Sequence, residues 1–163
     1  MDILVNKILV FASLIILASS VLTGCTLRVN AREEAEKAAA TVIEYINKGD
    51  SEGLIALFCE DVKDNYALTS QVDTLFNMFD SEITSYDVSA VSSGKKSELF
   101  GNGYYCITAI VDAYVDEKGY RIEVSETIYN DQEPQRVGIT TVMAMDEDVK
   151  KMFFVGEVNR LKS

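Results

Sequence analysis

The sequence predicts an α+β fold, N-terminal helices packed on an antiparallel sheet, and three observations predict it. Apolar residues recur at helical spacing between residues 30 and 79. The period changes to two from Glu82 onward. The strands that follow are separated by hairpin-length connections. No internal repeat and no second domain interrupt this order, so residues 30–163 read as one domain, a size that can bury a single core.

The elements follow from local signals. Asn30-Ala31-Arg32-Glu33 reads as an N-cap with a capping-box partner. Ala35, Ala39, Val42 and Ile46, with Ile43 beside them, form the apolar stripe of a first helix, and Gly49 stands where a glycine ends one. Asp50 caps a short second helix carrying Leu54, Leu57 and Phe58. Glu60 to Asn65 reads as loop. A third helix starts at Thr69 or Ser70 and presents Val72, Leu75, Phe76 and Phe79.

In the second half, Tyr86, Val88 and Ala90 alternate with Asp87 and Ser89. Ser92 to Gly103, rich in Gly, Ser and Lys, reads as a loop with ragged strand ends. Tyr104–Val115 and Tyr120–Tyr129 are long strands joined by Asp116-Glu117-Lys118-Gly119, with Gly119 suited to a left-handed bulge position. Asn130 to Arg136 holds the one proline and is a loop, and Val137–Met145 is a further strand. Residues 148–163 carry no pattern that assigns them.

That turn sets a register. Val115 pairs with Tyr120, Ala113 with Ile122, Val111 with Val124, Ala109 with Glu126 and Ile107 with Ile128, which brings both apolar series to one side. On the next strand Ile128 faces Val137 and Glu126 faces Ile139, and Thr141, Met143 and Met145 continue that side. The other side is mixed, with Cys106, Thr108, Ile110, Asp112 and Tyr114.

Ahead of the domain, Lys7 is followed by Ile8 to Val21, an uncharged apolar run too short for a ~20-residue bilayer span. Leu22-Thr23-Gly24-Cys25 closes it in the pattern of a lipobox. Residues 1–24 therefore read as a lipoprotein signal peptide and residues 25–29 as a short tether. Similarity to bacterial lipoproteins implies a diacylglyceryl thioether on Cys25, and two acyl chains hold a membrane where one would not. The expected location is the cell membrane, lipid-anchored, on the extracytoplasmic side. The net charge is −11, from 15 basic and 26 acidic residues. Such a surface repels phosphates and anionic headgroups, so nucleic acid is not an expected partner and the lipid on Cys25 is the expected membrane contact.

The run from Ile43 to Phe58, with its Gly49-Asp50 break and its Leu57-Phe58 end, is similar to the opening of nuclear-transport-factor-2-like domains. More narrowly, Gly53-Leu54 to Phe58, Leu75-Phe76 to Phe79, Ser85-Tyr86-Asp87 and Val137-Gly138-Ile139-Thr140 resemble a family of Firmicutes lipoproteins, domain-of-unknown-function family 5104, over roughly residues 30 to 145. The resemblance implies a cone: helices covering one end of a curved antiparallel sheet, with a pocket between them. It implies no chemistry, because none of these motifs is catalytic.

Chemistry has to come from individual residues, and the inventory is short. Without histidine the commonest general base and metal ligand is missing. Three cysteines, one of them lipidated, make no structural zinc site alone, and Gly101-Asn102-Gly103 is a turn and not a phosphate cradle. Neither a metal nor a cofactor is expected. Asp112, Asp116, Glu117 and Glu123 match no calcium-loop spacing and read as a solvated face. Cys59 and Cys106 are expected as free thiols on different faces.

Glu126 is the residue that stands out: a carboxylate in an apolar series, where burial would raise its pKa and suit it to proton transfer or to contact with a ligand. The other reading is a solvated rim position, or a bulge that turns the side chain outward. Tyr45, Tyr66 and Tyr105 are pocket or core aromatics, and Tyr45, Tyr105 and Thr141 join Glu126 as candidate pocket residues. Met143 and Met145 read as gap-filling core. Three functions compete: a binding module holding a small apolar ligand in the cone, an interaction domain that docks a partner or a second copy through the outer sheet face, and an isomerase, cyclase or dehydratase using the pocket carboxylate. Binding or interaction ranks above catalysis because the usual catalytic residue types are scarce.

Overall fold

The computed structural model describes residues 29–96 and 103–156. The signal segment, Cys25 and most of the tether lie outside the described residues, as do residues 97–102 of the proposed loop and residues 157–163.

Helix α1 spans Ala31–Lys48. The Asn30 side chain accepts a hydrogen bond from the Arg32 N–H at 3.2 Å, and Gly49 ends the helix at φ 62°. Asp50 caps α2 (Ser51–Ala56) by accepting from the Gly53 N–H at 2.8 Å. Where a loop was expected, Glu60–Lys63 form a one-turn helix, α3. Helix α4 spans Leu68–Phe76, starting one to two residues before the expected position. Ala35, Ala39, Val42, Ile43 and Ile46 form the buried stripe of α1, which packs mainly on strands β1 and β2.

Those strands are β1 (Ser85–Lys96) and β2 (Tyr104–Val115). They are followed by β3 (Lys118–Asn130), a 3-10 turn at Pro134–Arg136, β4 (Gly138–Asp146) and β5 (Lys151–Gly156). All pair antiparallel in the order β1-β2-β3-β4-β5. Helices precede strands, as expected, and the helices cover one face of an open five-stranded sheet. The core lies between them and includes Leu54, Phe58, Val72, Leu75, Ile107, Val111, Ile122, Val142 and Val155.

The β2–β3 hairpin differs from the expected register by two residues. Val115 pairs with Lys118 across a two-residue turn of Asp116 and Glu117, and Ala109 pairs with Val124, not Glu126. Asp116 carries the positive φ, at 54°, and Gly119 is an ordinary strand residue. A slip of two leaves every side chain on its face, whereas a slip of one inverts them all. The apolar series therefore still point to the core, and Glu126, now opposite Ile107, stays on the helix side.

Bulges do invert faces, and the sheet has three, at positions the sequence did not locate. Each inserts one unpaired residue and bends its strand. Ser89 is the extra residue of β1, so Ala90 pairs with Ile110 on the outer side. Ile128 is the extra residue of β3, and Thr140 that of β4. Glu126 faces Ile139 as expected. Past Thr140, however, Val142, Ala144 and Asp146 turn inward, and Thr141, Met143 and Met145 go to the outer face. There Met143 and Met145 pair with Phe154 and Met152, which keep 39% and 48% of their surface exposed.

Beside the β4 bulge, the chain from α2 to α3 crosses the sheet edge. Cys59 donates its N–H to Ile139 O at 2.9 Å, and Ile139 donates its N–H to Leu57 O at 3.0 Å, extending the edge where β5 ends. Gly138 stands at φ 121° under this crossing. A Cβ there would come within 3.1 Å of Leu57 O.

Candidate functional site

Between α1 and the sheet lies an open groove of about 290 Å³, lined by Glu34, Lys37, Ala38, Thr41, Leu57, Glu126 and Ile139. The helical wall follows from the sequence. Residues 34, 37, 38 and 41 repeat at helical spacing and form a stripe beside the buried one. Small and polar side chains on that stripe do not fill the space to the sheet. Ile139 and Glu126, cross-strand partners, form the opposite wall, and Leu57 closes one end from the edge crossing.

Glu126 is half-buried. Burial pushes its carboxyl above the ordinary glutamate value, nearby Glu34 pushes the same way, and Lys37 opposes them. Among the described residues the carboxyl makes no hydrogen bond or ion pair, and neither does the Lys37 ammonium. Thr41 turns its hydroxyl back to Lys37 O at 2.9 Å. The groove thus holds two carboxyls and one ammonium that no protein contact fixes, above an apolar floor. Glu126 also borders a second cleft of about 380 Å³, open on the outer side, with Tyr104, Thr108, Asn130, Glu133 and Arg136.

Of the four expected pocket residues, only Glu126 lines the groove. Tyr45 lies over Gly53, where a Cβ would run into its ring. Tyr105 is buried and stacks on Tyr129 with ring centroids 6.1 Å apart. Thr141 projects from the outer face because of the Thr140 bulge. Tyr66 is fully exposed. Cys59 and Cys106 are not disulfide-bonded, and no group of three or more potential metal ligands occurs among the described residues.

Three groups were missed. Glu34 and Lys37 were not singled out in the sequence, and the signal that could have found them is their helical spacing to Thr41. The third is Asp146, 6% exposed. Its carboxylate pairs with Lys118 at 2.8 Å and accepts from the Asp148 and Val149 N–H groups at 3.0 and 3.2 Å. The Lys118 hydrogen bond, helped by those two donors and opposed by burial, holds Asp146 below the usual carboxylate range. Lys118 also lies over the Tyr120 ring, 5.0 Å from its centroid. This cluster ties the β2–β3 turn to the β4–β5 turn and is structural, since every oxygen of Asp146 is engaged.

The raised Glu126 value makes a stability prediction. A carboxyl whose folded pKa exceeds its unfolded value contributes stability below the unfolded pKa, and loses that contribution as pH rises through the folded one. Glu126→Gln should therefore match the wild type in acid and be the more stable protein at neutral pH. Chemical denaturation of both across that range measures the difference. A variant less stable at neutral pH than the wild type would mean that the ionised carboxylate is held by a favourable contact.

Compared with known protein families, residues 41–151 match the model described as "Domain of unknown function (DUF5104)". The matched segment includes Thr41, Leu57, Glu126 and Ile139 of the groove, while Glu34, Lys37 and Ala38 precede it. No curated protein matches the chain.

Proposed function

Because the chain belongs to this family of domains of unknown function, we propose its role from its own geometry: a membrane-anchored lipoprotein domain, exposed on the extracytoplasmic side, that binds a small molecule in the groove between α1 and the sheet. One observation carries the reading. Glu126 sits partly desolvated, without a protein partner, beside Ile139 and Leu57 in a groove open to solvent. A structural carboxylate in that position would be paired, as Asp146 is. An unpaired one is stabilised when a ligand supplies the missing donor.

The fold reading is that of a nuclear-transport-factor-2-like cone, supported by the helix-then-sheet order, by the Gly49-Asp50 break and by bulges that bend three strands. The anchor reading rests on Leu22-Thr23-Gly24-Cys25 after the apolar run. Glu34 and Lys37 lie in the first two turns of α1, roughly 5–9 Å along the axis from Ala31 at 1.5 Å per residue. On the anchor reading, a tether this short sets the groove at the membrane-proximal end. Metabolic labelling with a fatty acid should mark the wild type and leave Cys25→Ala unmarked. Equal labelling of the two would rule out the anchor.

Catalysis is the weaker reading, although Glu34 and Lys37 converge on the Glu126 groove. A general base needs a partner that orients it, and no hydrogen bond orients any of the three. The exposed Met152 and Phe154 on the outer face support a second use, self-association through that face.

A further inference from the structure

The charges of the groove have an order that restricts what it can hold. Glu34 and Lys37 stand three residues apart on one face of α1, and Glu126 faces them from β3. A simple amine entering the groove meets two carboxylates but also the Lys37 ammonium. A simple carboxylic acid meets Lys37 but also two carboxylates. Only a ligand carrying both charges on neighbouring atoms gives each of the three groups an opposite partner. The remaining wall, Ala38, Leu57 and Ile139, asks for an aliphatic body. A volume of about 290 Å³ falls just below the range of small-molecule sites, ~300–1,000 Å³. That suits one residue-sized molecule and not a peptide.

We propose that the groove is a site for a free zwitterionic α-amino acid with an aliphatic side chain, its ammonium between Glu34 and Glu126, its carboxylate on Lys37 and its side chain on Ala38, Leu57 and Ile139. The assignment rests on the groove being a ligand site and goes further in naming the class. Binding brings a positive charge to Glu126 and favours its ionised form, so affinity rises with pH through the range where free Glu126 gives up its proton. The charged and titratable groups near Glu126 are Glu34 and Lys37 on α1 and, across the second cleft, Tyr104, Cys106, Glu133 and Arg136, the last two 3.5 Å apart.

The test is an NMR titration of the membrane-anchored protein, as purified from membranes, in nanodiscs, following Ala38 and Ile139, with leucine, 3-methylbutylamine and 4-methylpentanoate as probes. Leucine should saturate, and each half-ligand should bind at least about tenfold more weakly, the equivalent of one lost charge contact at ~1.4 kcal/mol. Lys37→Gln should bring leucine down to the affinity of the amine. Lys37 is exposed, so the variant should keep its fold, which circular dichroism checks. Glu126→Gln should remove the pH dependence. Leucine binding no tighter than either half-ligand overturns the proposal, and so does the absence of saturable shifts with alanine, valine, isoleucine and leucine. In that case 3-methylbutanol separates the two readings. Saturable shifts at Ala38 and Ile139 with the alcohol keep the groove as a ligand site and reject the amino-acid class. No shift with any probe rejects both.

Discussion

Replacing Phe58 by alanine is expected to cost about 3–5 kcal/mol, the range for removing a buried aromatic ring. Phe58 is 1% exposed and sits in the edge crossing, with the backbone on either side tied to Ile139 by Cys59 N–H and Leu57 O. Those two hydrogen bonds keep the backbone in place, so the space left by the ring cannot collapse fully and the cavity cost is felt. Against a total stability of roughly 5–15 kcal/mol this is a large fraction. The effect should reach the site, because Leu57, the adjacent residue, closes the groove. Urea unfolding of the wild type, Phe58→Leu and Phe58→Ala measures it. Phe58→Leu should lie between the other two. A loss below about 1 kcal/mol in the alanine variant would mean that the ring is not part of the core.

Gly156→Ala is expected to be the other severe change, for two reasons that add. Gly156 ends β5 at φ 91°, where an L residue is strained by roughly 1–3 kcal/mol. A Cβ there would also run into the carbonyl oxygen of Thr140, a backbone atom of the β4 bulge, and come within 2.9 Å of the Phe58 ring. A flexible side chain could move aside, but a bulge carbonyl fixed between two strands cannot. Gly49→Ala is the control. Gly49 also has a positive φ, 62°, but nothing lies within 4 Å of a Cβ placed on it. It should therefore show the backbone term alone, roughly 1–2 kcal/mol. Thermal unfolding of the three proteins decides the matter. The Gly156 variant should melt well below the Gly49 variant, and equal melting temperatures would show that the Thr140 collision is relieved without cost.

Both changes fall on one junction, where the β4 bulge, the Leu57–Cys59 crossing and the end of β5 meet. It is also the region where the face expected for Thr141 differs from the observed one. Thr141 belonged with Glu126 on any unbroken alternation from Ile139. One extra residue, Thr140, sent it to the other face together with Met143 and Met145. Glu126 itself was legible because it lies before the bulge, in an apolar series. The hairpin register missed by two without harm, because Gly119 was given the positive φ that Asp116 carries.

The boundaries of α1, the start of α2, the Asn30 and Asp50 caps, the Gly49 stop and the change from helices to strands were determined by the sequence alone, whereas Phe58, expected on α2, lies past its end at Ala56 and pairs with Ile139. Their causes act within four residues: a cap satisfies nearby N–H groups, and a periodicity defines one face. Where the bulges fall, which side chains beyond them point inward, and which carboxyls keep a partner were decided only by the tertiary structure. A bulge is placed by what a neighbouring segment needs, here the crossing of Leu57–Cys59 over Gly138. The same holds for the two acidic residues that set the chemistry of the fold. Asp146 has a local turn contact with the Asp148 and Val149 N–H groups that Glu126 lacks, but the ionic partner is not local for either. One meets Lys118 across a turn, and the other meets the open space that Ala38 and Thr41 leave beneath α1.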